Sequence, residues 1–130
     1  KDSSYNLFEN LKLDNFSVLP GSESKLLKGL KLGCSGIITA TCNVTSKLAR
    51  KVYDDFQKKN KQTENQKLCD VRAEFEKYNL ISGLHTYYSK KNEYYRNVLP
   101  PLSILNSQDE SELTNNLEKL NFSINSLKAA

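Results

Sequence analysis

The sequence predicts an α/β fold in which βα units carry a parallel sheet, and three observations predict it. Over the first sixty residues, short uncharged β-branched runs alternate with amphipathic segments. Turn-forming pairs and glycines, Pro20-Gly21 and Gly33, punctuate the junctions between them. Beyond residue 60 only the helical period remains, so the chain divides into βα units over 1–60 and a helical extension over 61–130.

In chain order, Ser3 or Ser4 is positioned to cap a helix running to about Leu13, with Leu7, Phe8 and Leu11 on one face. Phe16–Leu19 is a strand candidate ended by Pro20-Gly21. From Ser22, Leu26, Leu27 and Leu30 have helical spacing, and Gly33 is the residue expected just past the helix end. Gly36–Thr41 follows as a β-branched, uncharged strand. A third helix is predicted from about Thr45 to Lys59, with Leu48, Val52 and Phe56 at four-residue intervals and Asn43 as its cap.

The second half reads as helices over Gln66–Tyr78 and Leu80–Tyr88. Val98–Leu102 interrupts the pattern because Pro100 and Pro101 cannot continue a helix. A last helix is expected over Asp109–Leu127, capped by Ser107 or Asp109. Two or three parallel strands leave edges and faces uncovered, so the pattern predicts a preceding portion that completes the sheet.

The 130 residues suffice for one modest core. Net charge is +4, but 19 basic residues are interleaved with 15 acidic ones instead of clustering as a nucleic-acid footprint requires. The densest basic run, Lys58, Lys59 and Lys61, reads as a solvated helix end. Cys34, Cys42 and Cys69 lack metal-ligand spacing, and His85 has no ligand partner near it in sequence, so no metal site is expected. Unpaired cysteines in apolar stretches suit a reducing, cytoplasmic compartment. No apolar run approaches the ~20 residues of a membrane span. In such a compartment the three N-x-[ST] matches at Asn15, Asn43 and Asn121 are chance occurrences.

Three segments together carry a family resemblance. Lys1-Asp2-Ser3-Ser4 is similar to a G-[IV]-K-[DE]-[ST]-[ST] strand end. Phe16-Ser-Val-Leu-Pro-Gly21-Ser-Glu23 resembles a strand written V-L-S-G-D-D, and Leu32–Val44 resembles L-G-x-x-G-x-I-S-x-x-x-N-[VI]. These are the sixth, seventh and eighth strands of the dihydrodipicolinate synthase and N-acetylneuraminate lyase family, and Val98–Leu102 resembles the segment before that family's final helix, without its usual arginine. The resemblance implies a (β/α)8 TIM barrel, this chain covering the end of strand 6 through strand 8 plus the C-terminal helices. Sites in such barrels lie at the C-terminal ends of the strands, where Lys1, Gly21 and the Ile37–Thr41 strand would converge.

By resemblance Lys1 is the Schiff-base lysine, and Gly21, Ile38, Ser3 and Glu23 line the substrate. Gly21 lies beside the bound keto acid, and Ile38 contacts it through the main chain. Ser24 departs from the acidic residue that sialic-acid lyases hold there. A lysine nucleophile must be neutral, so it works where an apolar surround or a nearby cation disfavours the ammonium form. The implied substrates are pyruvate and an aldehyde, with no cofactor, no metal, no nucleic acid and no membrane, in a homotetramer. Dihydrodipicolinate synthase, and with it lysine biosynthesis, is the leading activity. A 2-keto-3-deoxy sugar-acid aldolase or N-acetylneuraminate lyase is the alternative.

A free α-amino group at residue 1 would compete as nucleophile, so this reading expects a preceding segment bearing the other strands. His85, Tyr87, Tyr88, Tyr94 and Tyr95 fall in the helical extension, where packing is expected in place of catalysis. A reading of a different class is a noncatalytic helical module with a basic binding surface, indifferent to Lys1 and sensitive to salt.

Overall fold

The computed structural model describes residues 1–4, 6–11 and 13–123. Its helices are α1 (Leu7–Asn10), α2 (Leu26–Lys31), α3 (Cys42–Gln57), α4 (Asn65–Glu76), α5 (Leu80–Ser89) and α6 (Ser107–Lys119), with 3₁₀ turns at Glu23–Lys25 and Glu93–Arg96. The chain forms two compact units, Lys1–Arg72 and Ala73–Ala130.

In the first unit, the strands expected at Phe16–Leu19 and Gly36–Thr41 are not continuous ladders. Among the described residues there is one isolated parallel bridge, Asp2 with Pro20. The hydrogen bonds give the reason. Asp2 N–H donates to Leu19 O and Gly21 N–H to Asp2 O, both at 2.9 Å. On the other side of this central segment, Ser35 N–H donates to Val18 O (3.3 Å) and Ile38 N–H to Pro20 O (3.1 Å). The acceptors advance by two residues and the donors by three, whereas a regular parallel ladder advances evenly. The extra residue falls at Gly36, whose φ of 148° is a backbone state that side chains other than glycine's rarely adopt. Pro20 moreover has no N–H to extend the pairing. Three extended segments therefore lie side by side in parallel order, the first two joined by the Asp2–Pro20 bridge and the last two by hydrogen bonds on either side of the bulge at Gly36.

The helices of this unit differ from expectation mainly at their ends. The helix predicted from Ser3 or Ser4 is a single turn, α1; Tyr5 and Lys12 lie outside the described residues. Asp2 takes over the capping work of the serines, its carboxylate accepting from Ser4 N–H (3.1 Å), Ser4 Oγ (2.9 Å) and Phe8 N–H (2.9 Å). After α2, Gly33 sits at φ 90°, with Cys34 N–H donating to Gly29 O (2.8 Å) and Gly33 N–H to Leu30 O (3.1 Å). That is a Schellman closure.

Helix α3 begins three residues earlier than predicted, so Asn43 lies inside its first turn and donates to Ala40 O (2.8 Å) instead of capping. Leu26, Leu30, Ala49, Val52 and Leu68 form the core of this unit, with Ile37, Leu48, Tyr53 and Phe56 packed on it. Helix α3 also ends in a Schellman closure, here with Lys59 at φ 55°. A lysine pays steric strain in that region where glycine does not. Lys59→Gly should therefore stabilise the protein by about 0.5–1 kcal/mol, read as a higher urea midpoint with an unchanged slope. An unchanged or lower midpoint would show that the closure carries no strain.

In the second unit, Asn79 Oδ1 caps α5 by accepting from Ile81 and Ser82 N–H, both at 3.1 Å. Asn106, not Ser107 or Asp109, caps α6, its Oδ1 accepting from Asp109 N–H at 2.9 Å. Asp109 and Glu110 in the first turn suit the positive end of the helix dipole. Helix α6 closes after Lys119, with Asn121 at φ 52° and Phe122 N–H donating to Leu117 O, short of the end predicted at Leu127; residues 124–127 lie outside the described residues.

The core of this unit is Phe75, Leu84, Tyr87, Leu113, Leu117 and Phe122. Phe75 meets Tyr87 edge-on at 5.7 Å, and Phe122 stacks on Tyr87 at 6.1 Å. His85 Nδ1 lies 2.8 Å from Tyr95 O, and Tyr88 stacks on Tyr95 at 5.0 Å. Within the described residues, no helix is long and apolar enough to cross a membrane.

Candidate active site

The site is built on the crossing of the first two extended segments. Asp2 is 3% exposed and is tied by its backbone on both sides of Pro20, so Lys1 is delivered to the rim of that crossing. A Cβ placed on Gly21 would lie 3.2 Å from Lys1 Cε, 3.3 Å from Asp2 O and 3.6 Å from Ser3 Cα. The lysine stem thus runs over a residue that has no side chain, and Gly21 is the residue that permits it. Ile38 stands on the other side of the same segment, its N–H bonded to Pro20 O and its side chain exposed. Lys1, Ser3, Gly21 and Ile38 are thereby gathered around Pro20–Gly21.

Glu23 is placed differently. It is fully buried, and both carboxylate oxygens are engaged within the protein. Oε1 accepts from the hydroxyls of Thr41 and Thr45 (2.8 Å for Thr45), and Oε2 accepts from Thr39 (3.0 Å) and from Arg72 Nη1 (3.2 Å). Arg72 Nη1 also donates to Thr39 Oγ1 (2.7 Å) and Thr41 Oγ1 (2.9 Å). Arg72 is itself buried, its side chain only 6% exposed. The carboxylate expected at the substrate is therefore turned inward, as the centre of a polar cluster drawn from the turn after Gly21, the segment after Ile38, and helices α3 and α4. Charge-assisted bonds to a saturated carboxylate are the condition under which a buried ion pair holds.

The cluster also shapes its neighbours. Burial, reinforced by the Glu23 charge, pushes the Cys42 thiol up to about 11, and burial raises the Cys69 and Cys34 thiols as well. These cysteines are neutral thiols at physiological pH, not poised nucleophiles. Within the described residues no group of three His, Cys, Asp or Glu side chains is placed to hold a metal.

The profile of the Dihydrodipicolinate synthetase family matches residues 2–120. The chain belongs to that family. Solved members share its fold. A dihydrodipicolinate synthase of Agrobacterium tumefaciens superposes with a TM-score of 0.72 at 20% identity, over 92% of this chain and 42% of that one. One from Bacillus anthracis gives 0.73 at 20% identity, over 82% and 38%. YagE, a prophage protein of Escherichia coli K12 belonging to the dihydrodipicolinic acid synthase family and solved in complex with pyruvate, gives 0.63 at 20% identity, over 82% and 38%. This chain thus spans about two fifths of the length of these family members. No curated protein sequence matches it significantly.

Against this family background, sequence reasoning missed Arg72, Thr39, Thr41, Thr45 and the capping role of Asp2. A signal for Arg72 was present: it follows Leu68 by four residues and precedes Phe75 by three, placing a cation within the buried stripe of α4. A buried cation requires a buried anion, and no acidic residue near it in sequence identifies Glu23 as that partner.

Proposed function

We propose that this chain is the C-terminal part of a pyruvate-dependent Schiff-base lyase or synthase of the dihydrodipicolinate synthase type, with Lys1 as the nucleophile. The observation that carries the reading is the passage of the Lys1 side chain over Gly21, with Ser3 alongside and Ile38 on the far side of the Pro20–Gly21 segment. Family membership and the likeness to a member solved with pyruvate support it. In this reading Lys1 Nζ attacks the keto carbon of pyruvate, water leaves, and an imine forms. Loss of a methyl proton then gives an enamine that attacks an aldehyde carbon, or the reverse cleavage occurs. Gly21 and the Ile38 main chain border the keto acid, and Ser3 presents its hydroxyl. A preceding segment supplies the rest of the barrel, and a cytoplasmic homotetramer belongs to the same reading.

The test is borohydride reduction of the protein carrying that preceding segment, in the presence of pyruvate, followed by peptide mass spectrometry. A reduced pyruvate adduct on Lys1 is expected. Its absence, or its appearance on a different lysine, would overturn the reading. Gly21→Ala provides a geometric control. Its Cβ would meet both Lys1 Cε and the Asp2 carbonyl, so trapping at Lys1 should slow by about tenfold, since displacing a reacting group by a fraction of an ångström is costly. Wild-type trapping in Gly21→Ala would place the lysine elsewhere.

A further inference from the structure

The Glu23–Arg72 cluster has no part in the chemistry described so far, yet its members follow closely on both Gly21 and Ile38 in the chain. Glu23 follows Gly21 by two residues, and Thr39 follows Ile38 by one. Thr39 and Thr41 each give a hydroxyl to Glu23 and accept from Arg72 Nη1, while Thr39 and Thr41 also lie 2.9 Å apart through their hydroxyls. Thr45 joins from the first turns of α3, donating both to Glu23 and to the Thr41 carbonyl (3.0 Å).

The backbone itself holds the two segments together weakly. Among the described residues, the Ser35–Val18 and Ile38–Pro20 backbone bonds join them, with the bulge at Gly36 between. A bulged, two-bond pairing does not fix the pitch of Ile38 relative to Gly21 to the few tenths of an ångström that a reacting centre requires. The side-chain cluster immediately beyond both residues, buried at Glu23, Thr41, Thr45 and Arg72, does.

We propose that Glu23 and Arg72, acting through Thr39 and Thr41, are positioning residues that set the Ile38 main chain against Pro20–Gly21 and so form the keto-acid wall facing Lys1. The proposal rests on the Schiff-base reading and assigns it a second tier of residues. None of the four touches substrate. Their effect is on how well pyruvate is seated, not on the reactivity of the aldehyde.

The experiment uses the protein with its preceding segment and compares wild type, Thr39→Val, Thr39→Ser and Glu23→Gln. Thr39→Val keeps the shape and removes the hydroxyl; Thr39→Ser keeps the hydroxyl. Thr39→Val and Glu23→Gln are expected to raise KM for pyruvate about tenfold and to slow borohydride trapping in parallel, with KM for the aldehyde unchanged. Thr39→Ser should restore wild-type pyruvate KM.

Equal pyruvate KM in wild type, Thr39→Val and Glu23→Gln would overturn the proposal, as would a rise in both substrates' KM alike, which is the mark of general loosening. Should Glu23→Gln not fold, because it leaves Arg72 buried without its anion, Thr39→Val, which keeps the ion pair, gives the same comparison. Failure of wild type to trap pyruvate at Lys1 would remove the Schiff-base reading and this one with it. Trapping in wild type with unaffected variants removes this one alone.

Discussion

Arg72→Met should lower the stability of the protein by about 3–5 kcal/mol, the range for removing one partner of a buried ion pair. The physical reason is the state in which Glu23 is left. Its carboxylate is fully buried and keeps three threonine hydroxyls, but the cation that offsets its desolvation is gone. Hydroxyl donors alone do not replace a charge in a medium where ions are poorly solvated. Set against a typical domain stability of about 5–15 kcal/mol, the variant approaches the folding threshold.

Urea unfolding of wild type and variant gives the value directly. Converting both partners, Glu23→Gln with Arg72→Met, should recover most of the loss, because a neutral amide among hydroxyls no longer needs a cation. A single-variant loss below about 1 kcal/mol would mean that water reaches the pair.

Lys1→Arg should reduce turnover by more than about a thousandfold, equivalent to about 4 kcal/mol of transition-state stabilisation. Arginine keeps much of the stem that runs over Gly21, so the fold is retained. A guanidinium is not deprotonated in proteins and does not form the imine. The loss should therefore lie in kcat with pyruvate KM changed far less, and borohydride should leave no adduct at residue 1. Turnover above about one per cent of wild type would require a different nucleophile.

How much of this was legible beforehand differs by feature. Helices α3 through α5 were read from apolar spacing to within about three residues and α2 to within four, because Leu26 and Leu30, or Leu48, Val52 and Phe56, face a core by periodicity alone. The end of α2 was also legible, since Gly33 marks a left-handed closure by its chemistry. The strands were not. Gly36–Thr41 has strand composition, but whether an extended segment becomes a ladder depends on the register of its neighbour, and the bulge at Gly36 is invisible until Val18 and Pro20 stand beside it. The caps misread at Asn43 and Ser107 show the same limit on a smaller scale, where two polar residues close in sequence compete and backbone geometry selects between them.

For the candidate site, Lys1, Gly21, Ser3 and Ile38 came from motif resemblance, and the structure gathers them around Pro20–Gly21. Glu23 came from the same motif, but its direction did not. A motif records which residue types stand at which spacing and is silent on whether a side chain after a turn points toward solvent or back into the protein. Here three threonines and Arg72 receive it.

The sequence by itself determined the helical periods, which are written in local spacing, and its motifs carried the resemblance to the family whose profile it matches. Only the tertiary structure decided that Glu23 faces Arg72 across 49 residues of chain and that the parallel segments meet through one isolated bridge and a few hydrogen bonds instead of a ladder. Both depend on which distant groups share a buried volume. Burial of charge and register of pairing are properties of contacts between segments, and no segment carries them alone.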